Sequence, residues 1–262
     1  INFNLKVDTI QIKKSRFIAD KKFIFDNVNL TVLDIKNDYG KELNIHHVIL
    51  KNPKFTIFGQ PKRVAQRDDK APDEFNDIIK VNRVSLVNGE LEIIPFQNKT
   101  PNLILKTIQL TFDQIKVDPK TIKENIPFVY HSVLLKSAGI DYKISNVYRL
   151  TTSNFQFNDG KLVLNDLKLN PLISRSAYVK TLKKQADLYT ISAKQIVGNG
   201  IQWGISKEKK LFLKANSYKI NQLFANIYSS NIPPKDSKRR PLFSEKLREI
   251  KLNKTNFDSR SK

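Results

Sequence analysis

The feature that most constrains this chain is an alternating stretch at residues 84–93, which reads V-S-L-V-N-G-E-L-E-I. Alternation of apolar and polar residues is the period of a strand with one buried face. Asn88-Gly89 is a strong type I′ turn signal, because that turn needs positive φ at both central positions. The stretch therefore predicts a β-hairpin with one apolar face. Its expected pairs are Val87 with Glu90, Leu86 with Leu91 and Val84 with Ile93.

The same spacing of apolar residues recurs along the chain. The template is apolar, any, apolar, four residues, apolar, any, apolar, and it admits two interpretations: a true internal repeat, or separate hairpins of one architecture. Either interpretation predicts an extended β protein, and the last copy predicts a hairpin that opens at residues 250–257. The copies are Val84, Leu86, Leu91, Ile93; Val48, Leu50, Phe55, Ile57; Tyr148, Leu150, Phe155, Phe157; and, with three matches each, Ile10, Ile12, Phe17 and Ile250, Leu252, Phe257.

Asn158-Asp159-Gly160 is a second hairpin signal. With Asp159-Gly160 at the centre of the turn, Phe157 is expected to face Leu162, and Phe155 to face Leu164. These four apolar side chains then share one face of the hairpin, while Gln156 and Val163 share the other.

Turn residues and prolines divide the chain into three predicted parts. Residues 1–60 form a β-hairpin segment, residues 61–78 an exposed polar loop, and residues 79–262 a second β segment that we expect to be cut within a larger protein. Long helical periodicity is nearly absent. One short helix is predicted within residues 174–187, with Ser174 or Ser176 as N-cap, and one or two helical turns within residues 244–249.

The chain carries a formal net charge of +21. One interpretation is a solvated basic strand face; the other is attraction to an anionic partner such as a lipid headgroup, lipopolysaccharide or nucleic acid. The charges are dense in two polar segments. One holds Lys62, Arg63 and Arg67, and the other holds Lys235 with the candidate headgroup-binding residues Lys238, Arg239 and Arg240.

The sequence lacks cysteine and methionine and begins with isoleucine. The first absence excludes disulfides, thiol catalysis and cysteine metal sites. No apolar run approaches the roughly 20 residues that span a bilayer. We therefore expect a soluble piece whose true N-terminus, and with it an anchoring segment, is not in this sequence.

Signals for catalysis are poor. Phosphate-loop, dinucleotide, nucleophile-elbow and zinc-protease motifs are absent, so we expect no enzyme, cofactor or metal site. Adjacent His46 and His47 are expected on opposite faces of a strand, and His131 is read as an isolated polar residue. The aromatic signature of an RNA-binding sheet is also missing, so nucleic acid is not an expected partner.

From Asn146 onward the chain resembles the large AsmA-like envelope proteins of Bacteroidetes-type bacteria. Three stretches carry the resemblance: N-V-Y-R-L-T-T-S-N-F-Q-F-N-D-G-K-L-V-L-N-D-L-K-L-N-P-L-I-S-R-S-A-Y, A-D-L-Y-T-I-S-A-K-Q-I-V-G-N-G-I-Q-W and A-N-I-Y-S-S-N-I-P-P-K-D-S-K-R-R-P-L-F-S-E-K-L-R. Together they cover about residues 142–257, and residues 1–125 share only the style of alternation.

The resemblance implies a mostly β fold: an extended, curved antiparallel sheet of repeated hairpins, with an apolar groove like that of bridge-like lipid-transfer proteins and one or two short helices. It also implies a periplasmic, inner-membrane-anchored protein that handles phospholipid or another acyl lipid at an anionic membrane surface. The alternative is a non-catalytic interaction subunit with envelope protein partners. The candidate groove residues are Val84, Leu86, Leu91, Ile93, Phe155, Phe157, Leu162 and Leu164.

Overall fold

The computed structural model describes residues 5–19, 22–38, 42–59, 76–182, 185–206, 211–230 and 249–260, the last range as backbone alone. The described chain is mostly strand, with one α-helix and one short 3-10 helix, and forms a large curved sheet. The predicted fold class is therefore confirmed.

Sixteen strands occur among the described residues. They are β1 (Leu5–Ala19), β2 (Phe23–Asp38), β3 (Glu42–Lys51), β4 (Lys54–Phe58), β5 (Ile78–Ile94), β6 (Leu103–Val117), β7 (Ser132–Ser137), β8 (Ile140–Lys143), β9 (Tyr148–Thr151), β10 (Asn154–Asn158), β11 (Lys161–Pro171), β12 (Asp187–Asn199), β13 (Gln202–Ile205), β14 (Leu211–Lys214), β15 (Ser217–Ser229) and β16 (Glu249–Arg260). The 3-10 helix is Thr121–Lys123, and helix α1 is Arg175–Thr181.

Fourteen strands belong to one sheet. Eleven follow the path β1-β2-β3-β5-β6-β7-β10-β11-β12-β15-β16. The other three pair with strands of that path: β4 with β2 and β5, β8 with β6, and β9 with β11. Pairing is antiparallel except where β3 and β4 lie parallel to β5. A parallel neighbour needs a long connection, and residues 59–77 separate β4 from β5. The strand begins at Ile78, so the predicted 61–78 loop is one residue too long; residues 60–75 lie outside the described part.

The predicted hairpin at Asn88-Gly89 is wrong. Both residues lie inside β5, a single strand of 17 residues that pairs with β6 along its length. Asn88 has φ 55°, but Gly89 does not have positive φ, so the type I′ turn cannot form. The pairing with β6 shifts on either side of Gly89, which marks a β-bulge that bends the strand without reversing it. Residues 250–257, which are expected to open a hairpin, lie within the single strand β16.

The recurring template instead marks bent strands that lie side by side. Each apolar position of β5 pairs with the matching position of β3 or β4: Val84 with Val48, Leu86 with Leu50, Leu91 with Phe55 and Ile93 with Ile57. Through β2, the copy in β1 reaches the same four rows. Cross-strand partners share a face, so these rows form one continuous apolar surface.

The bend explains the four-residue gap in the template. In an unbent strand, positions five apart face opposite sides of the sheet. In β5, Val87 and Asn88 are both exposed on one side, while Leu86 and Gly89 both face the other; a Cβ built on Gly89 would lie 2.5 Å from Leu86 Cδ2. Because two successive residues face outward, the alternation of faces shifts by one residue, and Leu91 lies on the same face as Leu86.

This bend crosses the whole sheet at one level, which we call the first crease. Positive φ at residues other than glycine marks it in most strands, at Lys14, Asn27, Asn52, Asn88, Thr107, Asp166 and Gln222. In the N-terminal half, asparagines join neighbouring strands there. Asn88 Nδ2 donates to Asn52 Oδ1 at 2.7 Å, and Asn27 Nδ2 donates to Asn52 O at 3.1 Å.

Two local predictions in the C-terminal half are confirmed. Asp159 and Gly160 form the turn between β10 and β11 with φ 41° and 82°, and Phe157 pairs with Leu162 and Phe155 with Leu164. Ser174 caps α1, because its side chain accepts a hydrogen bond from Ala177 N.

The bulge in β5 makes a testable distinction between Asn88 and Gly89. Asn88→Val should lower the free energy of unfolding by about 1–3 kcal/mol, because a β-branched residue is strained at positive φ. Gly89→Ala should cost less, since the new methyl group meets only the movable end of Leu86. Urea unfolding followed by circular dichroism measures both changes. Equal, large losses at the two positions would indicate the type I′ turn instead.

Candidate functional site

The inner face of the curved sheet is an apolar floor that crosses the path from β1 to β15. Successive pairings define each of its rows, and those rows run perpendicular to the strands. One row reads Ile12, Leu30, Leu50, Leu86, Leu110, Leu135, Phe157, Leu162, Gly198, Tyr218. Ten strands at about 4.8 Å give a floor about 43 Å long.

The first crease bends this floor into a trough. Along β6, β11 and β15, inner residues on the two sides of the crease are three positions apart, as at Leu105 and Ile108. Side chains near the bottom of the bend are crowded and therefore buried: Val28, Ile108 and Ala193 are 3–7% exposed. Away from the bend, inner side chains are mainly half-buried. The trough is thus an open groove with a narrow base.

The eight candidate groove residues all lie on this floor, but in two different surroundings. Val84, Leu86, Leu91 and Ile93 of β5 are half-buried. Phe155 and Leu164 are half-buried as well, whereas Phe157 and Leu162 are each 8% exposed. The difference has a structural cause, because part of the groove carries a roof.

The roof is the two-stranded sheet of β13 and β14, which meets residues 126–130; that segment lies beside β6, where Val129 pairs with Lys116. Ile201, which precedes β13, is buried against Val133, Phe157 and Leu162, with Trp203 packed beside them. Tyr130 stacks on Trp203 with ring centroids 6.4 Å apart, and Phe112 meets Tyr130 edge-on at 5.0 Å. Asn125 Nδ2 joins the two pieces by donating to the carbonyl oxygens of Ile205 and Ser206, each at 3.2 Å.

Sequence reasoning missed the roof and the segment that meets it. Phe128 and Tyr130 alternate as strand residues do, but nothing in the spacing of these residues and Trp203 links the two segments. Apolar side chains remain exposed around the roof, at Val129, Ile205 and Leu213. The roof therefore buries the floor below it and leaves an apolar rim.

The convex face is polar and carries most of the ion pairs. Lys54 Nζ lies 3.0 Å from Glu92 Oε1, and Lys194 Nζ lies 2.7 Å from Asp166 Oδ1; Arg149 pairs with Asp141. The hydrogen bond from Lys194 lowers the pKa of Asp166, and that from Arg149 lowers the pKa of Asp141. Such exposed pairs contribute little to stability. Their effect is to separate a polar outer surface from the apolar floor.

The prediction that His46 and His47 face opposite sides is wrong. A second bend crosses β2 to β6 at a different level of the sheet from the first. It is marked by positive φ at Asp34 and Gln114. We call it the second crease. Successive residues face the convex side there too, so both histidines line one pocket, and His131 joins them from the segment before β7.

The predicted headgroup-binding residues Lys238, Arg239 and Arg240 lie outside the described residues, as do Lys62, Arg63, Arg67 and Lys235. Within the described ranges, no helix is both long enough and apolar enough to cross a membrane. The same ranges contain no cluster of three or more His, Asp or Glu side chains arranged to hold a metal ion.

Comparison with known proteins gave no match: no family model, curated protein or solved structure is significantly similar to this chain.

The roof makes a prediction about the stability of the floor. Phe157→Ala should lower the free energy of unfolding by about 3–5 kcal/mol, because it removes a large side chain from a buried cluster. Leu86→Ala should cost less, since Leu86 is half-buried and lies outside that cluster. Urea unfolding followed by the fluorescence of Trp203, the only tryptophan, measures both. Gln156→Ala, on the opposite face of β10, is the control; equal losses at Phe157 and Leu86 would mean that the floor is one closed core.

Proposed function

We propose that this protein is an AsmA-like module of the bacterial envelope that binds acyl lipids in its groove and serves lipid transport between membranes or envelope biogenesis. The observation that carries the proposal is the continuous apolar floor, only partly buried over much of its length. A floor packed between two sheets would be a core, whereas only twelve aliphatic or aromatic side chains are buried among the described residues.

The dimensions and chemistry of the groove suit an acyl chain. The hydrocarbon core of a bilayer is roughly 30 Å thick and holds two layers of chains, so one chain spans about half of that. The part of the floor from β1 to β6 spans four strand spacings, about 19 Å, which exceeds the length of one chain without involving the roofed part. Partly buried Leu, Ile, Val and Phe side chains offer contacts without hydrogen-bonding demands, which matches a ligand that has none.

The resemblance to AsmA-like envelope proteins supplies the rest of the proposal. It implies a periplasmic protein held at the inner membrane. The net charge of +21 favours a surface of anionic lipids. The proposal involves no catalysis: the groove binds an acyl chain by shielding its apolar surface from water.

A pair of adjacent substitutions in β5 tests the groove. Leu86→Glu places a carboxylate on the floor, where it should strongly reduce bound lipid, because an acyl chain cannot hydrogen-bond to the charge. Val87→Glu adds the same charge to the exposed convex side and should leave bound lipid unchanged. Mass spectrometry of the purified proteins counts co-purifying phospholipid, and circular dichroism gives the melting temperature.

The two readouts separate a groove from an ordinary core. Loss of lipid in Leu86→Glu with a modest melting shift supports the proposal, since a half-exposed Glu stays hydrated in the empty groove. A wild-type protein without lipid, together with a collapsed melting transition in Leu86→Glu, would contradict it. Quenching of Trp203 emission by brominated fatty acids then reports whether the bound chain reaches the roof.

The basic segment tests the membrane contact. Changing Lys238, Arg239 and Arg240 to Ser should reduce flotation with anionic liposomes, because each charge near the surface contributes about 1 kcal/mol. The loss should shrink as salt is raised, since salt screens the attraction. Flotation that ignores both the substitutions and the salt would remove these residues from the proposed membrane contact.

A further inference from the structure

The second crease gathers all three histidines of the chain into one pocket on the convex face, away from the groove. The pocket has a volume of about 600 Å³ and is lined by His46, His47, Asn82, Arg83, Asp113, Gln114, His131 and Ser132. Strands β3, β5, β6 and β7 and the segment before β7 contribute to it, so the histidines come from positions far apart in the sequence. The volume lies within the range of small-molecule sites.

Hydrogen bonds hold most of the lining in place. Arg83 Nε donates to Asp113 Oδ1 at 2.7 Å, and Ser132 Oγ donates to Asp113 Oδ2 at 3.0 Å. His47 Nε2 lies 2.9 Å from Ser85 Oγ, and Asn82 Nδ2 lies 3.4 Å from His46 Nδ1. Both oxygens of the carboxylate are thus occupied, and its charge is offset by the guanidinium. The hydrogen bond from Arg83 accordingly lowers the pKa of Asp113.

What remains for a ligand is mainly a set of hydrogen-bond donors: imidazole, guanidinium and amide N–H groups. Such a set suits an oxyanion, and charge-assisted hydrogen bonds from Arg and protonated His to phosphate are among the strong ones. A divalent metal does not fit, because no group of three His, Asp or Glu side chains in the described residues is arranged to hold one. The volume also exceeds what a bare phosphate needs and leaves room for an organic substituent.

We propose that this pocket binds a phosphate ester, with Arg83 as the charged donor and the imidazoles of His46, His47 and His131 as further N–H donors. Burial lowers the pKa of His47, and the charge of Arg83 acts in the same direction, so His47 stays neutral more readily. The charged groups around the imidazoles are Arg83 of β5, Asp113 of β6 and Asp34 of β2, which lies between the residues that pair with Ile45 and His47. Protonation of imidazoles adds positive charge to the pocket, so an anion of fixed charge binds more strongly as the pH falls.

The ester can be a soluble phosphate compound or the headgroup of a lipid, since both present the same chemistry. The proposal is independent of the groove, whose floor is on the other face of the sheet. Loss of acyl-chain binding in Leu86→Glu would leave phosphate binding in the pocket intact, so the two ideas fail separately.

Nuclear magnetic resonance of the histidine ring protons tests the pocket, because the chain has only three histidines. Inorganic phosphate, added at constant ionic strength at about pH 6, should shift all three signals along one saturable curve. Binding of sulfate, whose own charge stays constant over this range, should weaken as the pH is raised to about 7.5, because imidazoles lose positive charge. His131→Gln and Arg83→Gln should each weaken phosphate binding.

A second polar pocket supplies the matched control. It lies at the first crease and is lined by Ser153, Asn165, Asp166, Lys194, Gln195, Asn221 and Gln222, without a histidine. Lys194→Gln removes one positive charge there and should leave the histidine shifts unchanged. Two results would overturn the proposal: histidine shifts that do not saturate with phosphate, or a phosphate affinity that falls equally in Lys194→Gln and His131→Gln. Either result means general attraction of anions to a basic protein.

A parallel arm identifies the source of the phosphate. Vesicles of phosphatidic acid in phosphatidylcholine are compared with inorganic phosphate and with pure phosphatidylcholine vesicles. Saturable shifts with phosphate and none with vesicles support a soluble ester. Shifts with the anionic vesicles that His131→Gln abolishes support a headgroup, and their absence in every arm overturns the site.

Discussion

The structure depends on strands that bend together at the same level. A bend in one strand of a sheet breaks the hydrogen-bond ladder unless its neighbours bend beside it. Here the left-handed residues Asn27, Asn52 and Asn88 lie in neighbouring strands, and their side chains bond across the crease. Asparagine tolerates positive φ, which keeps the cost of each bend low. The alignment of these bends turns a twisted sheet into a trough.

Both candidate sites follow from the geometry of the bend. On the inner side, residues three apart converge and bring an apolar floor into a concave shape. On the outer side, two successive residues of each strand face solvent together, so their polar side chains line shallow pockets. The groove therefore lies on the concave side of the first crease, and the histidine pocket lies on the convex side of the second. The same kind of backbone distortion produces both.

The roof divides the groove into parts with different physical properties. Where Trp203 and Ile201 cover Phe157 and Leu162, the floor is a packed cluster that contributes stability. Outside that cluster, Leu86 and Leu91 of β5 are only partly buried. The proposed lipid binding requires such apolar area, and the roofed cluster offsets the lost burial elsewhere in the same sheet. Under the proposed function, stability and binding therefore belong to neighbouring segments of one floor.

The sequence by itself determined the strand periodicity and some turns. Alternation paired Val84 with Leu86 and Leu91 with Ile93, and Asp159-Gly160 marked a true hairpin, because both depend on local backbone preferences. All four apolar residues do share a face, but the bulge in β5 puts them there and not the predicted hairpin. Asn88-Gly89 carried an equally good turn signal, yet β5 continues through it: the ladders with β4 and β6 on both sides outweigh a local preference for reversal. Only tertiary structure decided that, since those partners are distant in sequence. It alone also decided that Trp203 roofs the floor, and that the second crease turns His46 and His47 to the same side as His131.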